Sequence, residues 1–559
     1  MPTSKSFIVA CALLALSQGA LSQTLPRSGS EMLTIPPAPT QQRAIPEIRV
    51  EPSRAPAIPG ADSARFPVRS LRVTGQTLYS EADLIGATGF APGGDVTLAD
   101  LRGMAARIAD YYHRNGYFVA QAYLPAQDIK DGSVTIAVLE GRYGNVTLRN
   151  QTNVHDFVAN GLLAGLNNGD IIAAAPLERR LLMLSDLPGV VVKSSLVPGA
   201  AIGTSDLIVE LTPGRRVQGN VEADNAGSRY TGEYRVGGTI YINEPFGLGD
   251  VAGLRVLTSG SGMTYARGFY EAQAGQFRLG AAYSALDYRL GKEFSSLQAH
   301  GTAEIASLYG SYPIIRSRNT NLYAQLGFDA RTYQDKVDAT TPTSVVDKRA
   351  HVWMASLYGN HRDSWFGRGG LTTYSLTYSA GDLDIRTPSA LAFDAATART
   401  NGGYGKLWYS AARLQSVTDT FSLYAAINGQ FASKNLDISE KFGLGGPYAV
   451  RAYPVGEGYA DEGYVVTLEA RQRLPKFTSM PGELNLVGFV DTGAVTLNKN
   501  PWFTGTNHRS LSGAGVGLTW IDYNNFTLSA YYAWKLSDDR ALSAPDKNGR
   551  LWVQAVKFF

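Results

Sequence analysis

From Val217 onward the chain alternates between polar and apolar residues. In Val217-Gln-Gly-Asn-Val-Glu-Ala-Asp224, Gln218, Asn220, Glu222 and Asp224 share one face, and Val217, Gly219, Val221 and Ala223 share the other. That period of two is the signature of a strand with one wet and one apolar side. Similar runs recur at 233–243, 266–273, 322–329, 465–473 and 511–521. Turn clusters such as Asn225-Ala-Gly-Ser228, Arg316-Ser-Arg-Asn319 and Asp522-Tyr-Asn-Asn525 separate them.

Before Arg215 the pattern is different and it repeats. A strand-like run, Val68 to Gly75, leads to Ser80 with Asp83 three residues on, which opens a short helix. Thr97 with Asp100 opens a longer helix, whose apolar positions Leu98, Leu101, Met104, Ala105, Ile108 and Tyr112 fall on one face before Gly116 ends it. Two alternating runs follow, at 117–124 and 133–140. The order β-α-α-β-β restarts at Gly144, with helix-like stretches near 154–165 and 177–184 and strands near 190–197 and 206–211. Two copies of about 75 residues with no linker between them predict two small α+β modules in tandem, at 67–142 and 143–214.

A soluble β-sandwich would alternate as the region from 215 to 559 does. Three features favour a membrane barrel instead. No helical layer is available to cover such a sheet, Tyr and Trp gather near strand ends as membrane-interface girdles do, and the last run, Leu551 to Phe559, stops on an aromatic residue. At roughly 20 to 22 residues per strand and connection, the region holds about 16 strands, an even number as such barrels require. Lys557 stands against the pattern, because it shares a face with Phe559 where an apolar residue is expected.

Composition narrows the class further. The 559 residues carry a net charge of +3 and 44% apolar residues, a balance that gives no reason to expect a nucleic-acid partner. After the N-terminus no run of 18 apolar residues occurs, so spanning helices are not expected. Residues 1–22 read as a secretory signal: Lys5, the apolar stretch Phe7 to Leu16, and a small-x-small site at Ala20-Leu21-Ser22. The single cysteine, Cys11, lies within it. Ile8-Val9-Ala10-Cys11 loosely matches a lipid-attachment box, but the apolar segment follows the cysteine rather than preceding it. The exported chain then begins at Gln23 and has no thiol chemistry. Residues 23–66 are proline-rich, an extended linker rather than a packed domain.

Enzyme motifs do not emerge. The chain holds no G-x-S-x-G, H-E-x-x-H or G-x-x-x-x-G-K-[ST], and its six histidines are scattered without ligand spacing. No catalytic residue, cofactor or metal is therefore expected. What does recur in order is Tyr111-Tyr-His-Arg-Asn-Gly-Tyr117, Leu124-Pro-Ala-Gln127, Val138-Leu-Glu-Gly141, Asn243-Glu-Pro-Phe-Gly-Leu-Gly-Asp250, Gly445-Gly-Pro-Tyr-Ala-Val-Arg-Ala-Tyr453 and Gly488-Phe-Val-Asp-Thr-Gly493. In these segments the chain resembles the TpsB transporters of two-partner secretion, of the haemolysin-transporter type, within the superfamily of BamA-like assembly factors. The resemblance spans nearly the whole mature chain. It implies two POTRA domains in the periplasm, an outer-membrane barrel, and a long extracellular loop around 443–463 folded back into the lumen.

The resemblance also implies an anchor for that loop. Asp491 lies on an alternating strand that can face a polar lumen, and Arg451 can offer its planar fork of donors to the carboxylate. On composition alone Arg451 reads equally as a solvated loop charge. Gly446, Val450, Tyr453 and Gly458 belong to the loop signature, and Phe489 and Gly493 to the strand signature. The family's usual glycine is replaced by Ala452, which would be strained if the backbone there had positive φ. Family members also carry an N-terminal helix that plugs the pore. Here the early proline-free stretches are short, 27–35 among them, and do not support a long helix. The implied partners are a secreted TpsA-like exoprotein of the haemolysin, adhesin or haem-binding class, gripped by the POTRA grooves within 67–214. Outer-membrane lipid and an assembly machinery that reads the strand ending at Phe559 are implied as well. A protein insertase, or a passive porin or receptor, are the competing readings, and the second leaves the tandem modules without a role.

Overall fold

The computed structural model describes residues 25–40, 47–50, 65–129, 131–476 and 481–559. The expected signal sequence, with Cys11 and the start at Gln23, lies outside the described residues. A short helix, α1 (Ser28–Leu33), and a four-residue strand, β1 (Glu47–Val50), belong to the proline-rich segment.

The first module begins with β2 (Arg65–Val68) and β3 (Ser70–Thr74). Helix α2 (Glu81–Thr88) follows, with Ser80 Oγ accepting from Asp83 N at 3.1 Å, as the Ser-x-x-Asp spacing predicts. Strand β4 (Gly94–Thr97) pairs with β2 and leads into α3 (Leu98–Arg114). A reciprocal cap starts α3: Asp100 N donates to Thr97 Oγ1 at 3.1 Å, and Thr97 N donates to Asp100 Oδ2 at 2.8 Å. Its buried face is Leu101, Met104, Ala105, Ile108 and Tyr112, while Leu98 stays half-buried. This face packs on Leu71 and Val73 of β3 and on Val134, Ile136 and Val138 of β6 (Ser133–Leu139), which also pairs with β5 (Gln121–Tyr123). The pair β2–β4 is an addition to the β-α-α-β-β order read from the sequence.

The second module repeats the plan with β7 (Arg142–Asn150), α4 (Asp156–Leu163), α5 (Ala174–Ser185), β8 (Val190–Pro198) and β9 (Thr204–Pro213). Its core joins Leu162, Leu177, Leu181 and Leu184 to Leu196, Leu207 and Val209, all 0–1% exposed. Burial of each such side chain stabilises by about 1.5–3 kcal/mol. The sheet order is β1-β8-β9-β7, so the N-terminal segment supplies one edge strand.

Sixteen antiparallel strands, β10 (Val217–Asp224) to β25 (Gly549–Phe558), form a closed barrel in which each strand pairs with the next and β10 pairs with β25. The period-two faces of β10 separate as the sequence predicts: Asn220, Glu222 and Asp224 are buried inward, and Val217 and Val221 are about half exposed outward. Charges inside are paired, with Arg235 on Asp224 (2.9 Å) and Arg255 on Glu222 (2.7 Å). Lys557 does lie on the outward face, but its ammonium reaches Asn525 in the turn before β24 (Phe526–Lys535), next to the end of the strand. A long stem under a polar head is how lysine is tolerated at a membrane rim. The second module docks below the barrel through Arg316, whose guanidinium grips both oxygens of Asp186 (2.8 and 2.9 Å). Arg179 adds bonds to the carbonyls of Pro313 (2.7 Å) and Ile314 (2.9 Å).

A buried carboxylate ties the first module together. Glu140 accepts from Thr77 N (2.6 Å), Leu78 N (2.8 Å), Tyr112 Oη (3.0 Å) and the Thr77 hydroxyl. Burial on its own raises the Glu140 pKa, but these donors outweigh it and hold the group below the ordinary carboxylate value. A folded-state pKa below the unfolded one gives stability that is present above the unfolded value and lost as pH falls through the folded one. We therefore expect the urea midpoint of this module, followed by pulse proteolysis, to fall steeply below about pH 4.3. Glu140→Gln should flatten that dependence and lower stability at neutral pH by about 2 kcal/mol.

Candidate functional site

The connection between β20 (Phe421–Ala432) and β21 (Glu462–Arg473) is the loop 433–461. It does not extend into solvent. Leu444, Val450, Ala452, Tyr453 and Ala460 are all fully buried, packed against Val465, Val487, Phe489 and Leu511 of the barrel wall. The tip doubles back on itself: Val450 N donates to Leu444 O (3.1 Å), and Leu444 N donates to Glu457 O (3.0 Å). Gly446 (φ +114°) and Gly458 (φ +65°) hold backbone conformations that favour glycine.

At the tip Arg451 meets Asp491 of β22 (Glu483–Thr496) as a two-pronged pair. Nε donates to Oδ2 and Nη2 to Oδ1, both at 2.8 Å, and the Arg451 backbone N–H adds a bond to Oδ2 at 3.2 Å. The third arm of the guanidinium, Nη1, donates to Glu469 Oε1 at 2.8 Å. Glu469 is held in turn by Arg471 Nε (2.8 Å), and Asp491 accepts from Thr467 Oγ1 (3.0 Å). The guanidinium lies 3.5 Å from the ring centroid of Phe489, and the Trp552 indole donates to Arg451 O at 2.7 Å. Arg451 is 5% exposed and Asp491 0%. An ion pair removed from water this far owes its stability to complete hydrogen bonding of both partners, and loss of one strands the other.

The remaining signature residues each make room or contact. A Cβ at Gly493 would sit 2.7 Å from Leu444 Cδ1, so that glycine lets the loop lie against β22. The Tyr453 hydroxyl donates to Asp539 O at 2.9 Å. Ala452 is not strained: it is absent from the residues with positive φ, and its methyl fills space left by Gly513 on β23 (His508–Asp522). The expectation of a strained backbone at Ala452 is corrected by that pairing of a small residue with a glycine.

Sequence reasoning missed a second set of attachments. The turn Ile438–Glu440 carries Glu440, 2% exposed, which is paired with Arg331 of β16 (Thr320–Val337) and with Lys406 of β19 (Gly402–Ser416) at 2.8 Å. Asp437 pairs with Lys348 of β17 (Ser344–Asp363), and Lys441 with Asp461 at 2.8 Å. Glu457 accepts from Ser543 N (2.9 Å), Ser543 Oγ (2.8 Å) and Arg509. Glu469 was findable, since it shares a polar face of β21 with Thr467 and Arg471. Glu440 and Arg331 are 109 positions apart, and no local pattern joins them.

Helix α1 sits within this network. Ser28 N donates to Asp335 Oδ1 (2.8 Å), and Thr231 Oγ1 donates to Glu31 Oε2 (2.7 Å). Gly29 packs on the turn below, where a Cβ would lie 2.6 Å from Ser439 Cβ. The chain then runs along the inner wall, with Arg255 donating to Pro36 O (2.6 Å) and Asn220 to Pro39 O (3.2 Å). Helix α1 is six residues long and lies within the proline-free stretch 27–35.

Residues 203–520 match the family of the haemolysin secretion/activation proteins ShlB/FhaC/HecB, and residues 66–141 match the POTRA domain of ShlB type. The heme/hemopexin transporter protein HuxB of Haemophilus influenzae is 30% identical over 475 residues, 84% of this chain and 82% of that protein. The outer membrane transporter CdiB of Dickeya dadantii is 26% identical over 467 residues, 81% of this chain and 80% of that one. Among solved structures, CdiB from Escherichia coli superposes with a TM-score of 0.69 at 19% identity, covering 90% of this chain and 93% of that one. BamA from Haemophilus ducreyi, lacking POTRA domains 1–3, gives 0.54 at 14% identity, covering 88% and 100%.

Truncating Arg451 to Ala leaves Asp491 and Glu469 buried without their cation, a loss of about 3–5 kcal/mol. Limited proteolysis of the purified chain should then cut within 433–461 at least tenfold faster than in the wild type. Arg451→Lys should rescue little, because an ammonium cannot span two carboxylates with a fixed fork. Ala452→Gly, which removes one buried methyl and leaves the ion pair intact, should raise cleavage far less than Arg451→Ala.

Proposed function

The chain belongs to the ShlB/FhaC/HecB family of haemolysin secretion/activation proteins, and from that premise we propose that it captures an unfolded exoprotein in the periplasm and passes it through the barrel to the cell surface. It is an outer-membrane transporter of the two-partner secretion type, with POTRA modules on the periplasmic side. One observation supports this passage above the rest. The chain's own loop and helix lie in the lumen, and hydrogen bonds and ion pairs to the wall hold both, alongside some apolar packing. Occupants held by hydrogen bonds and ion pairs can exchange those bonds for water or for another polypeptide, which a packed apolar core cannot do.

The loop anchor is Arg451 with Asp491 and Glu469, and the residues Gly446, Val450, Tyr453, Gly458, Phe489 and Gly493 shape the surface on which it rests. The client is recognised through main-chain pairing at POTRA sheet edges, a mode that tolerates varied side chains. With no nucleotide motif in the sequence, folding of the client outside the cell supplies direction. The similarity to a heme/hemopexin transporter favours a client of the haem-binding class over a haemolysin or adhesin. The outward faces of the strands, Val221, Ile240, Leu254 and Val256 among them, meet lipid. The last strand, with Phe559, is the segment read by the assembly machinery.

Secretion of a TpsA-like exoprotein co-expressed with this chain tests the reading. Deletion of 66–141 should abolish it, and Arg451→Ala should reduce it at least tenfold, while porin levels in the outer membrane stay normal. Loss of porins in either strain would favour the insertase reading, and full secretion by Arg451→Ala would remove the anchor from the mechanism.

A further inference from the structure

The outer edge of β8 is where the second module can accept another strand, and the chain's own N-terminal segment already lies there. Glu47–Val50 pair in parallel with β8 over Lys193–Leu196. On its other side β8 pairs with β9 along all nine residues, Val190–Pro198. The β1 pairing therefore covers four of nine, and among the described residues Val190–Val192 and Val197–Pro198 carry no strand on that edge. Pro46 and Pro52 flank β1 in the sequence, and proline has no N–H to extend a ladder. The prolines keep the occupant short, and among the described residues the edge is longer than the strand paired to it.

The position of this edge gives it significance. Val191 and Lys193 line a cavity of about 1040 Å³ together with Pro36 and Pro39 of the N-terminal segment and Asn220 and Arg255 of the barrel wall. The first half of β8 thus faces the mouth of the lumen. Residues 47–50 also run on from α1, with only 34–46 between them. A segment that displaces them both takes the edge and lengthens the tether on the helix in the lumen.

We propose that the outer edge of β8 is the docking edge for an extended segment of the exported polypeptide, and that residues 47–50 occupy it as an internal surrogate until the client displaces them. The proposal rests on the transport reading above and names the edge and its regulation. The client segment suited to it is proline-free, alternates polar and apolar residues, and is long enough to pair along all nine residues of β8. Such a strand more than doubles the pairing that β1 makes. That advantage is needed, because a tethered competitor acts at an effective concentration near the millimolar range. The edge takes backbone first, so it discriminates by strand length and absence of proline rather than by a side-chain pocket.

The test uses the purified full-length chain in nanodiscs and a fluorescein-labelled nine-residue peptide. The peptide repeats the Glu-Ile-Arg-Val of residues 47–50 and continues it with Thr and Val in place of proline. The double variant Ile48→Pro/Arg49→Pro removes two successive N–H groups from β1 and empties the edge, while Arg49→Cys/Ser195→Cys, two residues paired in register, locks it by a disulfide. Because Cys11 is the only cysteine in the sequence, the lock has no competing thiol in the exported chain. Peptide anisotropy should show binding about tenfold tighter to the proline variant than to the wild type. The oxidised lock should show none until it is reduced, and hydrogen exchange should place the new protection at 190–198. Equal binding to the oxidised lock, protection elsewhere, or a proline variant that pairs with a second copy of itself would overturn the proposal. In cells the lock separates the two readings. A locked chain that secretes normally overturns the docking edge, whereas peptide binding that follows the lock in a chain that exports nothing overturns transport and leaves the edge standing.

Discussion

A polypeptide that crosses hydrocarbon must satisfy every backbone N–H and C=O from within the protein, because lipid offers no partner. Closure of β10 onto β25 answers that requirement here, and most of the structure follows from it. Closing a sheet with alternating side chains forces one set outward to lipid and the other inward. The inward set from this chain mixes charged and aromatic residues with apolar ones such as Val465, Val487 and Leu511, so the lumen accepts segments that offer both kinds of contact. Within it lie a loop bearing Arg451, Glu440 and Glu457, whose charges pair with those of the wall, and a short helix bearing Glu31, which accepts a hydrogen bond from Thr231.

The ion pairs inside the barrel have an energetic character that suits movable parts. A buried, fully bonded pair such as Arg451 with Asp491 contributes little net stability compared with apolar packing, since desolvation offsets most of the attraction. Breaking one half of it is costly, but moving both partners back into water costs far less. Loop 433–461 combines both kinds of contact. Val450, Ala452 and Tyr453 pack against the wall beneath the ion pair, while Glu440 holds the opposite arm of the loop to β16 and β19. Helix α1 rests on the turn that Glu440 secures, with Gly29 against Ser439. The loop and the helix therefore share a support.

Outside the barrel the same backbone logic operates in water. The POTRA modules expose sheet edges, and an edge left unpaired is a template for any extended chain. The second module covers one such edge in part with its own N-terminal strand. The lumen and the module edge are thus occupied by two stretches of one segment, 28–33 and 47–50.

Much of this was legible in the residues. Alternation in β10 and β21, the caps at Ser80 and Thr97, and the repeat of about 75 residues are local patterns, and local patterns follow from the pleat of a strand and the turn of a helix. Arg451 and Asp491 stand out because each lies in a recognisable signature. Tertiary structure alone decided the rest: Glu469 as a third member of that pair, Glu440 with Arg331 across 109 residues, the fit of Ala452 into the space of Gly513, and the pairing of 47–50 with β8. A chain's pattern says which face of an element is polar. Which charge stands opposite another, or which edge a short strand finds, depends on closure of the barrel and the path of the linker through it, and those join residues that no sequence window contains together.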